Sequence, residues 1–197
     1  MTRVAICGVA RTPIGKFRGS LSNLSAVDLG IRAVKELLHR CNIDPETGII
    51  DELLFGQVLQ AGAGQAPARQ VALGAGLPNT IAATTINKVC GSSLKAVMMA
   101  ANSIRAGQTK VVIAGGMESM TNAPKFEKRN GDEKEMVSTM VHDGLWDVYN
   151  DLHMGNTGEI IANECNISRE KMDSFAARSQ HLAAHAEQSG WFDWERF

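Results

Sequence analysis

The chain has 197 residues, enough for one sizeable hydrophobic core or for one domain with an appendage. Its 20 basic and 21 acidic residues leave a net charge of -1, which argues against a nucleic-acid-binding protein because such proteins usually carry a basic surplus. No apolar run reaches the length of a membrane span, and an apolar segment begins within the first few residues, so we expect no membrane span and no targeting peptide. These features predict a cytoplasmic globular protein.

The first part of the chain alternates between predicted strands and predicted helices. The apolar run at residues 4–10 predicts a buried strand, and the spacing of apolar side chains over 26–41 predicts an amphipathic helix. This alternation predicts an α/β domain with a largely parallel or mixed sheet covered by helices. The remaining predicted elements are strands at 52–59, 84–89 and 110–117 and helices at 67–75 and 91–106.

The sequence changes character after Pro124. Residues 125–135 are charged and interrupted by glycine, which favours a solvated loop over a regular element. The segments 155–165 and 168–189 follow as predicted helices, and we expect no strand in this part of the chain. We therefore predict two domains, a sheet-based core at 1–122 and a largely helical appendage at 123–197.

The four cysteines are widely separated, and no pair has the spacing of a zinc site or of a redox-active pair. We therefore predict no metal site and a reduced compartment. Cys7, Cys41 and Cys165 lie in apolar or helical patterns and are predicted to be packing residues.

Cys90 has a different setting, because it stands where a predicted strand gives way to a predicted helix. The N–H groups at a helix N-terminus stabilise negative charge, so a thiolate there is a favoured nucleophile. Such a residue could hold an acyl group covalently. The alternative is a buried structural cysteine, which is common for unpaired cysteines.

Two segments resemble one known family. Residues 86–97, INKVCGSSLKAV, resemble the active-site segment of the thiolases, and residues 114–124, AGGMESMTNAP, resemble a second characteristic stretch. The stretches at 11–17, 64–70 and 153–155 are similar to thiolase segments as well. The resemblance covers residues 3–192 in the right order, and its details are most similar to the acetyl-CoA C-acetyltransferase (acetoacetyl-CoA thiolase) branch.

The resemblance implies a function and a set of site residues. It implies a thiolase-like N-terminal domain at 1–122, a truncated loop domain at 123–197, and Cys90 as the catalytic nucleophile. Val89, Met154 and His153 would bind substrate, although Met154 could be an ordinary apolar residue at a helix start and His153 a structural, hydrogen-bonded histidine. The implied reaction condenses two acetyl-CoA to acetoacetyl-CoA, or cleaves a 3-ketoacyl-CoA, in fatty acid metabolism. Coenzyme A thioesters would be the substrates, with no separate cofactor.

One departure from the family affects the expected activity. Thiolases are about twice as long, and their second half supplies Gly-His-Pro, Asn-Glu-Ala-Phe and Cys-x-Gly motifs that this sequence lacks. The resemblance therefore implies that the isolated chain is inactive and works as a homo-oligomer or with a second chain that supplies the missing half. We also expect an exposed apolar face on the helix at 91–106, and hence self-association or a need for a partner.

Two alternatives to this function remain. One is a non-catalytic, truncated thiolase-like protein or a module that binds coenzyme A or another subunit. The other is a different condensing enzyme, such as a ketoacyl synthase, against which the GGMESM stretch at 115–120 argues.

Overall fold

A three-stranded parallel sheet organises the first part of the chain in the computed structural model, which describes residues 3–130 and 133–197. Its strands are β1 (Glu52–Gly56), β2 (Ala82–Ile86) and β3 (Val112–Gly116), in the order β2-β1-β3. Gly56 pairs with Ile86 on one side and with Gly116 on the other, so all three strands end at the same level. The loops that follow them therefore meet at one edge of the sheet, its carboxyl edge.

Helices cover both faces of this sheet, as the sequence predicts. Two of them, α1 (Ala26–Arg40) and α2 (Pro67–Gly74), pack on one face around a core that includes Phe55 and Val71. The third helix, α3 (Ser92–Arg105), packs on the opposite face against Leu54 of β1. The predicted α/β class with a helix-covered parallel sheet is confirmed.

Side-chain hydrogen bonds to the backbone explain where one helix and two strands begin. Ser25 and Asp28 form a reciprocal capping box at the start of α1. The carboxylate of Asp51 accepts hydrogen bonds from the backbone N–H groups of Val111 at 2.9 Å and Lys110 at 2.6 Å, which joins the starts of β1 and β3. These two bonds hold the pKa of Asp51 below its ordinary value of 3.8.

The later part of the chain combines two hairpins with two long helices. A π-helical turn (Met140–Leu145) lies between the hairpins. In the earlier part of the chain, a short 3₁₀ turn (Pro45–Thr47) precedes β1. The remaining elements are the hairpin of β4 (Lys125–Asn130) and β5 (Glu133–Ser138), the hairpin of β6 (Trp146–Asp147) and β7 (Leu152–His153), and the helices α4 (Met154–Glu164) and α5 (Arg169–Gln188).

The chain forms two compact units, each described here by itself. The first unit is Met1–Gly144 with Phe197, and the second unit is Leu145–Arg196. This division lies later than the boundary at 122 that the sequence predicts, and the division into domains at 1–122 and 123–197 stays a prediction. Every described helix falls short of the combined length and apolar character needed to cross a lipid bilayer.

Two predicted elements are wrong, and so is the expectation that no strand lies after Pro124, because β4, β5, β6 and β7 all lie there. Residues 4–10 form no strand, because the described part of the chain provides no strand to pair with them. The predicted loop at 125–135, apart from 131 and 132, which lie outside the described residues, belongs to the β4–β5 hairpin. Ion pairs of Glu127 with Arg129 and Lys134 and the apolar cross-strand pair Phe126–Val137 favour strands in this charged sequence.

Exposure corrects one further prediction and supports another. Cys7 and Cys165 are exposed, so they are not the packing residues that the sequence predicts, whereas Cys41 is half-buried. The outward side of α3 is apolar: Leu94, Val97 and Met98 are 66%, 38% and 51% exposed. This exposed side, defined as the α3 stripe, is the apolar face that the sequence predicts at 91–106.

Candidate active site

Cys90 lies at the carboxyl edge of the sheet, in the turn that joins β2 to α3. The predicted strand at 84–89 ends at Ile86, so the residues before the cysteine form a turn and not a strand. Ligands of parallel sheets characteristically bind at this edge, where the loops after the strands converge. The side chain of Cys90 is exposed, which excludes the alternative of a buried structural cysteine.

The turn before Cys90 has an uncommon backbone conformation. Val89 has a φ of 47°, in the left-handed region that β-branched residues rarely adopt. The Oδ1 atom of Asn87 accepts a hydrogen bond from the Val89 N–H at 2.9 Å. The buried hydroxyl of Ser92 accepts from the Lys88 N–H at 2.8 Å and donates to the Val89 carbonyl oxygen at 2.6 Å. These three bonds hold the turn that presents the thiol.

Two glycines let α3 approach the sheet closely at this point. A Cβ atom on Gly56 would lie 2.7 Å from the Cβ of Ser92, and one on Gly116 would collide with Oγ of Ser93. The helix N-terminus therefore rests directly on the last residues of β1 and β3. Close packing beside the thiol is thus what Gly116 provides.

No side chain caps the N-terminus of α3 among the residues that the structure describes. The N–H groups of its first turn carry a partial positive charge and lie next to the cysteine. An oxyanion formed beside Cys90 would be stabilised by this arrangement. The site can therefore support nucleophilic attack on an electrophilic carbonyl carbon.

Glu118 is a residue of the site that sequence reasoning missed. Its partly buried carboxylate accepts hydrogen bonds from the N–H groups of Val58 at 2.8 Å and Leu59 at 3.4 Å, which follow β1. The Val58 carbonyl oxygen in turn accepts a long hydrogen bond of 3.4 Å from Asn87. The loops after all three strands are thus tied together, and the signal in the sequence was the position of Glu118 within the thiolase-like stretch at 114–124.

Gln57 is a second residue that the sequence did not single out. Its side chain is 2% exposed, and its Nε2 donates to the Leu59 carbonyl oxygen at 3.1 Å. No described residue donates a hydrogen bond to its Oε1 atom. A buried amide at the end of β1 therefore keeps an unused acceptor close to the loops that surround the cysteine.

The other predicted site residues lie in the second unit. His153 caps the N-terminus of α4, where its Nδ1 accepts a hydrogen bond from the Gly155 N–H at 3.0 Å. Met154 is the first residue of that helix, and its side chain is 40% exposed. The structure thus places Val89 beside Cys90 and Met154 beside His153, each pair within its own unit. Within the described residues, no cluster of His, Cys, Asp and Glu side chains is arranged to hold a metal ion.

Comparison with known proteins agrees with this geometry. The family model described as "Thiolase, N-terminal domain" matches residues 4–195. The chain is 51% identical to "Acetyl-CoA acetyltransferase 2" of Arabidopsis thaliana, with 98% of this chain and 48% of that protein covered. It is 51% identical to "Acetyl-CoA acetyltransferase" of Cupriavidus necator, with 99% of this chain and 50% of that protein covered. The "Probable acetyl-CoA acetyltransferase" of Escherichia coli is 48% identical over 98% of this chain.

The chain belongs to the thiolase family, a family of acyl-transferring enzymes, and it corresponds to the N-terminal domain of that family. The resemblance found in the sequence is thereby confirmed. The chain spans about half the length of the curated relatives that it matches.

Proposed function

We propose that this chain carries the nucleophile of a thiolase-type acyltransferase, and that the nucleophile is Cys90. The observation that carries this proposal is an exposed cysteine on a strained turn, directly before an uncapped helix N-terminus at the carboxyl edge of a parallel sheet. The names of the relatives, acetyl-CoA acetyltransferases, support acetyl-CoA and acetoacetyl-CoA as substrates.

The first step would be transfer of an acetyl group to the chain. The Cys90 thiolate attacks the thioester carbonyl carbon of acetyl-CoA, a new C–S bond forms, and the bond to the CoA sulfur breaks. The CoA thiolate leaves and takes up the proton that the cysteine released, so the products are acetyl-Cys90 and free coenzyme A. In the second step, a base removes a proton from the methyl group of another acetyl-CoA, and the resulting carbanion attacks the carbonyl carbon of acetyl-Cys90. A C–C bond forms and the bond to the Cys90 sulfur breaks, which gives acetoacetyl-CoA and returns the Cys90 thiolate. The reverse sequence cleaves a 3-ketoacyl-CoA.

Val89, Met154 and His153 are proposed to contact the substrate, with Met154 as an apolar neighbour of the acyl group. No cofactor other than the coenzyme A thioesters is proposed. The bases for the second step would come from a second polypeptide that supplies the half of the relatives that this chain does not match. The working form is proposed to be an oligomer. We propose a cytoplasmic place in fatty acid metabolism for the assembled enzyme.

The first step can be tested on the chain alone by intact mass spectrometry after incubation with acetyl-CoA. We expect one added acetyl group on the native chain and none on Cys90→Ala. Cys7→Ala and Cys165→Ala are matched controls, because both residues are exposed cysteines outside the turn, and both variants should acquire the acetyl group.

Two results would contradict the proposal. An adduct that persists in Cys90→Ala and disappears in Cys7→Ala would assign the labelling to ordinary thiol exposure. A native chain that stays unlabelled would favour the second candidate, a thiolase-like module that binds coenzyme A or another subunit without performing catalysis. The half-length match to the relatives is the observation that keeps this candidate open.

A further inference from the structure

Glu118 lies where the loops that follow the three strands of the sheet meet. It comes two residues after β3, and the Met117 N–H beside it donates to the Gly56 carbonyl oxygen at 2.9 Å. The partly buried Glu118 carboxylate accepts from the N–H groups of Val58 and Leu59. Both carboxylate oxygens take part in these bonds, so this side chain binds the backbone of the loop that follows β1.

The peptide unit between Val58 and Leu59 is hydrogen-bonded at both of its ends. Its N–H group, which belongs to Leu59, donates to Glu118 at 3.4 Å. Its carbonyl oxygen, which belongs to Val58, accepts from Nδ2 of Asn87 at 3.4 Å. Because a peptide unit is planar, the carboxylate bound at one end sets the direction of the carbonyl group at the other end. Glu118 therefore determines where Asn87 finds its acceptor.

Asn87 connects this peptide unit to the turn before the thiol. Its Nδ2 atom donates to the loop after β1, and its Oδ1 atom accepts from the Val89 N–H at 2.9 Å. An amide group that is bonded through both its nitrogen and its oxygen is held in one orientation, so loss of the first bond weakens the second. The second bond holds the left-handed Val89, which directly precedes Cys90.

The loop after β1 has two further side-chain hydrogen bonds, and both of them use carbonyl oxygens. Nε2 of Gln57 donates to the Leu59 carbonyl oxygen at 3.1 Å, and Nε2 of Gln60 donates to the Gln57 carbonyl oxygen at 2.9 Å. Among the described residues, Glu118 is the side chain that accepts from the N–H groups of this loop. Leu59 is buried, and a buried N–H group without an acceptor is costly, so removal of the carboxylate should disturb the loop.

We propose that Glu118 is a positioning residue for the Cys90 nucleophile. It holds the peptide unit between Val58 and Leu59, this peptide unit holds Asn87, and Asn87 holds the turn that presents the thiol. Glu118 does not contact the acyl group in this role, so it affects how fast Cys90 is acylated and not how tightly the substrate binds. The inference rests on the proposed function, in which Cys90 accepts the acetyl group.

Asp51 provides a matched control at the other end of the same sheet. Its carboxylate also accepts from two successive backbone N–H groups and also joins β1 to β3, but it does so where these strands begin. Asp51→Ala and Glu118→Ala therefore remove equivalent bonds from the first unit, and only Glu118 belongs to the series of hydrogen bonds that leads to Cys90. Glu118→Gln keeps an oxygen that can accept from Val58, so this variant should recover most of the native rate.

The first measurement is the rate at which acetyl-CoA acetylates Cys90, followed by intact mass spectrometry at several acetyl-CoA concentrations and below the thermal midpoint of every variant. We expect Glu118→Ala to lower the limiting rate about fivefold and to leave the half-saturating concentration unchanged. Glu118→Ala combined with Asn87→Ala should show the same loss of about fivefold, and not the roughly 25-fold loss of two independent effects. Asp51→Ala should lower the thermal midpoint and keep the native limiting rate.

The second measurement is amide hydrogen exchange by nuclear magnetic resonance, which requires no acyl transfer. We expect the Val89 amide to exchange about fivefold faster in Glu118→Ala than in the native chain, because its acceptor Asn87 is less firmly held. In Asp51→Ala, the Val89 amide should exchange at the native rate. Protected amides in Glu52–Gly56 verify in each sample that the sheet is folded.

Three results would overturn the inference. The first is an equal loss of limiting rate in Asp51→Ala and Glu118→Ala, which would make the effect one of general stability. The second is an additive loss in the double variant, which would show that Glu118 does not act through Asn87. The third is unchanged exchange of the Val89 amide in Glu118→Ala. A native chain that acquires no acetyl group would contradict the proposed function instead, and the exchange of Val89 would then decide the positioning role by itself.

Discussion

Val89 adopts a backbone conformation that is costly for a β-branched residue. A β-branched residue in the left-handed region costs on the order of 1–3 kcal/mol, and such residues persist only where their surroundings hold them. Here the Val89 N–H donates to Asn87, and its carbonyl oxygen accepts from Ser92. The cost is thus offset by neighbours that also determine where the Cys90 thiol is presented.

Replacing Asn87 by alanine should therefore slow the acylation of Cys90. The lost acceptor is worth about 1 kcal/mol, so we expect roughly a fivefold lower rate of labelling by acetyl-CoA. The rate is measured by intact mass spectrometry over time, with Asn102→Ala as control because Asn102 is an exposed residue of α3. Equal labelling rates for Asn87→Ala and the native chain would show that this hydrogen bond does not position the thiol.

At the scale of elements, one carboxylate joins strands that lie far apart in the sequence. Asp51 precedes β1 and accepts both of its backbone hydrogen bonds from the residues before β3. Because β3 is an edge strand, this clamp supplements the pairing that holds it to β1. The bonds lower the pKa of Asp51, so its contribution to stability depends on pH.

The sign of this dependence follows from the lowered pKa. The charged form is stabilised in the folded state, so the contribution is present above the ordinary pKa of 3.8 and is lost as the pH falls through the lower, folded value. We expect Asp51→Asn to lower the thermal midpoint at pH 7 and the difference from the native chain to shrink at pH values below 3.8. Glu52→Gln is the control, because Glu52 makes no side-chain hydrogen bond to the described residues. A difference that stays constant with pH would contradict this role.

Local sequence patterns predicted most of the helices and strands. They failed where the conformation of a segment depends on pairing with another strand. Apolar spacing and caps predicted the helices to within a residue or two, because those signals act within one turn. Residues 4–10 have the composition of a strand, but a strand needs a neighbour for its backbone. The hairpin of β4 and β5 was not predicted, because its stability comes from cross-strand pairs. Its many charged residues are typical of a solvated loop.

The same limit applies to the candidate site. The sequence predicted the position of Cys90 between strand and helix, because the helix and its small residues are local signals. It did not predict the left-handed Val89, and it placed the strand end three residues too late. The role of Glu118 was also not predicted, because its hydrogen-bond donors lie about 60 residues earlier in the chain.

For the whole molecule, the main feature is apolar surface that the described residues leave uncovered. The α3 stripe begins one turn after Cys90 and runs along the outward side of the helix. Adjacent apolar side chains of this kind characteristically mark an interface with another protein surface.

The purified chain should therefore self-associate through the α3 stripe. We expect Leu94→Lys with Met98→Lys to lower the mass measured by light scattering towards that of the monomer and to reduce binding of a hydrophobic dye. Gln108→Lys adds a charge at an exposed position beyond the C-terminus of the helix and should leave both readouts unchanged. A native chain that is already monomeric and binds no dye would contradict the prediction.

The register of the sheet also has a consequence for how the protein folds. β1 must find β2 about 30 residues later and β3 about 60 residues later, and the first unit contains no hairpin between these strands. Such non-local pairing makes folding slow, because much of the loop-closure entropy is lost before any pairing is gained. During synthesis, β1 emerges from the ribosome well before β3, so it stays without this pairing partner until β3 has been made. Slow translation or a chaperone that shields apolar strands should therefore raise the soluble yield of this chain more than a change that strengthens any single helix.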